Sequence, residues 1–411
     1  MAGNTLLTIS EITYKAALIL KNSLRFAGNV NRDYDGQFAR TGAKIGNTIN
    51  VRMPIRPVGR TGRVAKFDDI NETYKALTLT TQFGVDMNFT SVDYTLSMDD
   101  FARRYLEPSV AVVANKIDYD GLQLYKQIPN IVGTPGTVPS DYLTYLQAGA
   151  LMSDEATPQD QQRCMVLNPT SMATIVAANK LIFNPQAAIA DQYRTGMMGK
   201  ATGGFDWYES QNVATHTVGA LGGTPAVNGA SQVGSSLVTN GWTGSIATRL
   251  LEGDVFTIAG VYAVNPQTRQ STGKLRFFVV RAPGISDGSG NMTISIYPAI
   301  TPPDPITGLP VQFQTVTASP ADGALLTVVG AANVVTPQDI AFHPSGVVLG
   351  MADLERPPGA VESERVSDPD SGISIRIVRY YDGVNDLSGT RLDVIYGYLL
   401  VYPELACRIA S

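Results

Sequence analysis

The 411-residue chain is 44% hydrophobic and 16% charged, an ordinary globular balance with enough apolar surface for two or three domains. Its formal net charge of −5 excludes a polycation with bulk affinity for nucleic acid, so any basic character has to be local. Two distant cysteines, Cys164 and Cys407, make neither a CxxC motif nor a disulfide framework, which suits a reducing cytoplasm. No charged leader precedes an apolar stretch, and no apolar run approaches the ~20 residues of a membrane helix. A soluble, unexported protein with no membrane partner is expected.

Residues 10–27 read as a helix capped by Ser10, with Ile12, Ala16 and Ile19 at helical spacing and Gly28 as the stop. From Arg25 to Lys66 the basic residues Arg25, Arg32, Arg40, Lys44, Arg52, Arg56, Arg60, Arg63 and Lys66 face only Asp33 and Asp35. Asn47–Met53 and Thr73–Phe89 alternate as strands, predicting the two arms of a long hairpin whose Gly/Pro-rich tip spans 54–70. An isolated two-stranded ribbon is marginal in water. This one has too few core-forming residues to bury itself, so it is expected to lie across a neighbouring copy.

Ser97 opens a helical stretch that Pro108 interrupts, predicting a break at Glu107 and a longer helix running to Ile128. In that helix Val110, Val113, Ala114, Ile117 and Leu124 follow a 3-and-4 rhythm, while Val112, Tyr119, Leu122 and Tyr125 make other faces apolar. Residues 141–217 predict an α/β unit: a helix over Tyr142–Met152, a strand over Cys164–Leu167, and a helix over 170–179 capped by Asn168 with Pro169 behind it. From 218 to 336 the chain is rich in Gly, Thr, Ser and Val. Strand candidates there are Val255–Ile258, Leu275–Val280, Met292–Tyr297 and Leu325–Val329. Turn signals lie at Asn240-Gly241, Ser271–Gly273, Asp287–Gly290, Thr301–Pro305 and Asp322-Gly323. That pattern predicts a small β-barrel or sandwich inserted in an α/β host. Beyond it, 339–351 reads as strand then helix, Met351–Asp370 as an acidic loop, and 373–377 and 391–398 as half-buried strands joined by a turn at 382–389.

Chemistry is sparse. His343, between Phe342 and Pro344, and His216, between threonines, read as structural residues, so neither a hydrolytic triad nor a zinc site is expected. Gly196–Ala201 lacks P-loop spacing. Asp368-Pro-Asp370 lacks the ligands of a calcium loop. Asp118 and Asp120 would point to different sides of a helix. No catalytic, metal or cofactor site is expected. The basic segment is the one functional signal, and its negative counterpart is either packaged nucleic acid or the acidic loop of an adjoining copy.

Several strings in order along the chain resemble the coat proteins of the P22-like tailed phages, which have the HK97 fold. They are Asp99-Asp-Phe-Ala-Arg-Arg-Tyr-Leu-Glu-Pro108 leading into Ala114-Asn-Lys-Ile-Asp118, Val166-Leu-Asn-Pro169 and Gly204-Phe-Asp-Trp-Tyr-Glu-Ser210. Later come Ala341-Phe-His343, Arg379-Tyr-Tyr-Asp-Gly383, Thr390-Arg-Leu-Asp-Val-Ile-Tyr-Gly-Tyr398 and Pro403-Glu-Leu-Ala-Cys-Arg408.

The resemblance implies an α+β, HK97-like fold with a long spine helix, peripheral and axial domains, an extended hairpin loop and an inserted all-β domain. It divides the chain into an arm (1–46), the extended loop and start of the peripheral domain (47–96), the spine helix (97–135), an axial domain (136–217), the insertion (218–336) and a completing segment (337–411). It implies a major capsid protein, not an enzyme, that builds pentamers and hexamers into an icosahedral head in the bacterial cytoplasm. Scaffolding protein, a portal and packaged double-stranded DNA, bound without sequence preference, are implied partners, with decoration protein a further candidate. The contact residues expected between copies are Arg52, Arg56, Arg60, Arg63 and Lys66 on the basic loop. Opposite them stand Asp353, Glu355, Glu362, Glu364, Asp368 and Asp370. Two alternatives stay open: a nanocompartment shell of the same fold, and a surface- or glycan-binding virion protein acting through the β-domain. Deleting 218–336 is expected to cost solubility or size control before the host fold.

Overall fold

A computed structural model describes residues 13–14, 16, 20, 24–33, 46–53, 55–59, 62–63, 72–90, 105–178, 195–367 and 373–411. The predicted helices over 10–27 and from Ser97 therefore lie largely outside the described residues. In chain order the elements begin with strands Thr48–Arg52 (β1), Tyr74–Thr78 (β2) and Thr81–Thr90 (β3). Helix Glu107–Leu122 (α1), strand Ile131–Gly133 (β4), helix Tyr142–Asp154 (α2), strand Cys164–Leu167 (β5) and helix Pro169–Ala178 (α3) follow. Next are Asp206–Glu209 (β6), Thr215–Thr217 (β7), Gly223–Val227 (β8), Gly234–Trp242 (β9), Ala247–Leu250 (β10) and Val255–Val264 (β11). Ser271–Val280 (β12), Gly284–Ser286 (β13), Met292–Ile300 (β14), Leu326–Val328 (β15) and Val335–Phe342 (β16) come after these. Val347–Met351 (β17), Glu362–Ser367 (β18), Ser374–Asp382 (β19), Leu387–Leu400 (β20) and Ala406–Ala410 (β21) complete the set. The chain divides into two compact units, one from 1–51, 74–121 and 347–401, the other from 52–73, 122–346 and 402–411.

In the first unit β20 is the central strand. It pairs antiparallel with β17 and β19 along one side and with all ten residues of β3 along the other, and β18 extends the sheet beyond β19. The expected second hairpin arm thus ends at Thr78, and β3 turns away to a partner some three hundred residues distant in sequence. Helix α1 begins at Glu107 with Pro108 in its first turn, where a missing N–H costs nothing. Val110, Val113, Ala114 and Ile117 are buried as their spacing predicts, whereas Val112 and Tyr119 face solvent.

Asp118 on α1 is buried, and its carboxylate accepts the backbone N–H groups of Arg25 (2.7 Å), Phe26 (3.3 Å) and Ala27 (2.9 Å). Burial raises its pKa above the ordinary carboxylate value, and the three N–H donors and Arg25 oppose that rise. Asp118→Ala would strand those donors, so a loss of about 2–3 kcal/mol is expected. The check is hydrogen exchange: protection of residues 25–31 should fall well before that of β19 and β20.

In the second unit the host sheet runs β4-β21-β16-β5-β6, with β4 parallel to β21, β5 parallel to β6, and β16 antiparallel to both of its neighbours. Asn168 caps α3 as predicted, its Oδ1 accepting Ser171 N–H at 2.6 Å, and Asp141 caps α2 through Leu143 N–H. Tyr145, Ala148 and Met152 of α2 and Met172 and Ile175 of α3 pack with Met165, Leu167, Trp207 and Ile409 into one core. The stretch expected to be strand then helix, 339–351, is instead the end of β16, a single 3-10 turn, and β17, every residue of which is buried.

The glycine- and threonine-rich stretch forms a barrel. Its strands run β15-β11-β12-β14-β9-β8, and the bond from Val227 N to Ala324 O (2.9 Å) with the Ala226–Leu325 bridge returns β8 to β15. Trp242, Phe256, Phe278, Ile294 and Ile296 fill its interior. The chain enters from β7 and leaves into β16, and these strands pair antiparallel, Thr217 opposite Val335 and Thr215 opposite Pro337. Two turn signals proved to lie within strands. Asn240-Gly241 is inside β9, where Gly241 (φ +78°) brings its backbone so near Thr224 O that a Cβ would sit 2.4 Å away. Ser271–Gly273 opens β12, beside a register shift against β11.

Barrel and host sheet share a joint. Ile131 and Ala410 of the host pack with Val255 and Val279 of the barrel. Arg276 on β12 is ion-paired with Glu155 at the end of α2, and Tyr297 on β14 donates to Glu404 (2.8 Å). Arg408 on β21 donates to Gly253 O (2.9 Å), with its guanidinium 5.7 Å from the Tyr125 ring.

Candidate assembly surface

The basic ribbon is rooted on the first unit. β1 and β2 form a two-stranded sheet of their own, antiparallel because Met53 N bonds Thr73 O (2.8 Å) and Leu79 N bonds Asn47 O (2.8 Å). Lys75 reaches from β2 to the carbonyls of Leu400 (3.2 Å) and Val401 (2.7 Å) at the end of β20. Gly397 lets the ribbon approach, since a Cβ there would meet Thr78 O at 2.1 Å.

Past the root, Arg52 and Arg63 are exposed and form no ion pair among the described residues. Arg56 behaves differently. Its guanidinium lies over the Tyr402 ring at 5.8 Å, and its carbonyl accepts from buried Arg269 (3.2 Å). It also acts electrostatically on Glu155, whose pKa is raised first by burial and pulled back by Arg276 and Arg56. The start of the tip therefore rests on its own chain, contrary to the expectation that the ribbon finds no support there. Arg60 and Lys66 lie outside the described residues.

The acidic stretch is half loop and half strand, because Glu362–Ser367 is β18, paired with β19 at the sheet's outer edge. Its acids have partners in the same unit: Glu362 with Arg379 (3.2 Å), Glu364 with Arg356 (3.8 Å), and Asp353 with Arg365 (3.6 Å) and Ser374 (2.5 Å). Glu355 is exposed and uses its backbone carbonyl to hold Arg376 (2.5 Å). Asp368 and Asp370 lie outside the described residues. The first three acids are 24–49% accessible, and such surface pairs contribute ~0–1 kcal/mol each. They are cheap to exchange for partners on another copy.

Neither histidine assembles a reactive group. His343 stands between Asp160 (3.1 Å from Nε2) and Ser345 Oγ (2.6 Å from Nδ1), an order of groups that suggests hydroxyl activation. The turn's own N–H groups are already used, however: Ser345 N–H bonds His343 Nδ1 and Gly346 N–H bonds His343 O, leaving neither to stabilise an oxyanion. Buried His216 contacts Asp254 (2.9 Å) and Tyr125 (3.3 Å) inside the barrel joint. Sequence reading missed Asp118 because its partners are backbone N–H groups, which leave no mark in residue identity.

An α+β subunit with a two-stranded basic ribbon and a charged sheet edge is a shell-building protein with the HK97-like fold. The chain belongs to the P22 coat protein family, whose model, described as "P22 coat protein - gene protein 5", matches residues 20–408. It is a phage major capsid protein that forms the head of the virion as a multimeric icosahedral shell, a structural subunit and not an enzyme. Among solved structures the chain is similar to one from Mycobacterium phage Che8, at 14% identity and a TM-score of 0.46, covering 94% of this chain and 90% of that one. The bacteriophage PhiM1 mature capsid is similar at 10% identity and a TM-score of 0.44, covering 94% and 86%. The CUS-3 coat protein I-domain is similar at 24% identity and a TM-score of 0.20, over 26% of this chain and 96% of that one. No curated protein sequence matches.

Proposed function

We propose that the shell is held in part by the basic ribbon of one subunit crossing to the acidic edge of the next. Arg52, Arg60, Arg63 and Lys66 would meet Glu355, Glu362, Glu364, Asp368 and Asp370, while Asp353 braces the edge from within. Arg56 would act at the root, aiming the tip from its seat on Tyr402. The observation that carries this reading is that Arg52 and Arg63 are exposed and form no ion pair among the described residues, on a ribbon held at its base and at Arg56. Repetition around closed pentamers and hexamers makes small pair energies sufficient, because each subunit is engaged at several edges at once.

On the same reading the first unit is the peripheral domain with its spine helix α1 and extended loop, the host sheet is the axial domain, and the barrel is the insertion. Assembly takes place in the bacterial cytoplasm with scaffolding protein and a portal, decoration protein is a further partner, and packaged double-stranded DNA touches the inner face through phosphate contacts.

Arg60→Glu together with Arg63→Glu is expected to cut particle yield on electron micrographs at least ten-fold while the purified subunit melts normally. Added reversal of Glu362 and Glu364 to Arg should recover part of that yield, and assembly should weaken as ionic strength rises. Undiminished yield from the double variant would overturn the ribbon-to-edge contact.

A further inference from the structure

Beyond β1, residues 55–59 of the ribbon belong to no helix or strand, and Pro57 keeps Arg56 out of the helical backbone region. Among the described residues this segment makes one hydrogen bond: the carbonyl of Arg56 accepts from the guanidinium of Arg269 at 3.2 Å. The Arg56 side chain has a seat of its own, over the Tyr402 ring and near Glu155. That seat lies at the end of a flexible stem and leaves the backbone free to swivel. The direction of the chain is set by what grips the backbone.

Arg269 holds its place at a cost. It is buried in the turn between β11 and β12, and its backbone is left-handed (φ +59°). Among the described residues it is the one buried residue other than glycine with that conformation. A side chain is strained there, and glycine is not. No carboxylate among the described residues answers its charge. Its donors go to the backbone carbonyls of Pro266, Arg56 and Gln312, its Nε–H is buried without a bond, and the Arg56 cation stands near.

The turn that carries Arg269 is braced. Asn265 Oδ1 accepts the N–H groups of Gln267 (2.9 Å) and Thr268 (3.1 Å), and Asn265 Nδ2 donates to Asp154 O (2.9 Å) at the end of α2. Strain of this kind persists where the surrounding structure over-determines it, and it gathers at clamps.

We propose that Arg269 is a positioning residue for assembly: its guanidinium clasps the ribbon backbone at Arg56 to the barrel's own carbonyl at Gln312, and so sets the direction in which the chain carrying Arg60 and Arg63 leaves the subunit. This role presupposes the ribbon-to-edge contact proposed above. It gives the inserted barrel a part in assembly, because Arg269 and Gln312 both belong to it. A ribbon already aimed loses less freedom when it docks.

A nitroxide on Gly59→Cys reads the clasp in the free full-length subunit, since a Cβ there meets nothing within 4 Å and both native cysteines are buried. Arg269→Gly removes the donors and suits the left-handed turn. In that variant the label is expected to turn markedly faster while the subunit still melts cooperatively. Particle yield should fall roughly ten-fold, the worth of one charge-assisted hydrogen bond. Should Arg269→Gly not fold, Arg269→Met, which fills the same space without donors, is read in the same way. A label as slow as in the parent subunit would overturn the clasp. Normal assembly of the Arg269 variant beside failed assembly of Arg60→Glu with Arg63→Glu would sink the clasp alone. Normal assembly of both would sink the ribbon contact with it.

Discussion

Replacing residues 218–336 by a short glycine-serine turn is expected to leave the remaining chain insoluble and without a cooperative melt. Composition alone predicts a milder outcome, a modular domain whose loss spares its host. The joint argues otherwise. Removing the barrel uncovers Ile131 and Ala410. It also takes the partners of Arg408, Glu155 and Glu404. The charged groups regain water and lose little. The apolar ones do not: re-exposing a residue such as Ile131 costs about 2 kcal/mol, set against a total stability of about 5–15 kcal/mol. The deletion also removes Val335 and Thr336, the partners of Thr217 and His216 on β7, and a bare apolar patch beside an open strand invites association. Soluble fraction and circular dichroism on heating are the readouts, and a soluble, cooperatively melting remnant would establish the barrel as a true module.

Asp393→Ala should be the most damaging single substitution in the first unit. Asp393 is fully buried on β20, and its two oxygens bind Arg376 (2.5 Å), directly opposite on β19, and Arg391 (2.8 Å). Removing the acid leaves two cations on one face of the sheet. Breaking a buried pair costs about 3–5 kcal/mol. Arg391 is nearly half exposed and can turn to water or to Asp86, so the lower end, about 3 kcal/mol, is expected. That corresponds to a fall of roughly 6–10 °C in the melting temperature. Asp393→Asn, which keeps an acceptor and loses the charge, should fall between the two. A melting temperature unchanged in the Ala variant would mean that the arginines find other partners.

Local rules read well where the pattern was local. Pro108 marked the start of α1, Asn168 and Pro169 marked α3, and the alternation of Met292, Ile294 and Ile296 marked β14. Reading failed where tertiary partners decide. The arm that begins at Thr73 looks continuous to Phe89, yet beyond Thr80 it answers to β20, and nothing in its own alternation names that partner. Val347–Met351 is an unbroken apolar run, and periodicity alone cannot separate a fully buried strand from a helix. Strand β9 carries Asn240-Gly241, which looked like a turn, whereas Gly241 is a close contact between backbones. At the candidate surface the charges could be counted from sequence, but not the self-pairing of Glu362, Glu364 and Asp353, nor the seat of Arg56 on Tyr402.

The ten-residue pairing of β3 with β20 has a mechanical consequence. The ribbon strand β2 runs into β3 after only Leu79 and Thr80, so tension pulled along the ribbon enters β3 end-on. Antiparallel ladder bonds lie across the strand axis, and a pull along that axis loads them in shear, all at once, where a sideways pull would unzip them singly. A shell stretched from within would therefore draw on the whole ladder before any one rung gave way.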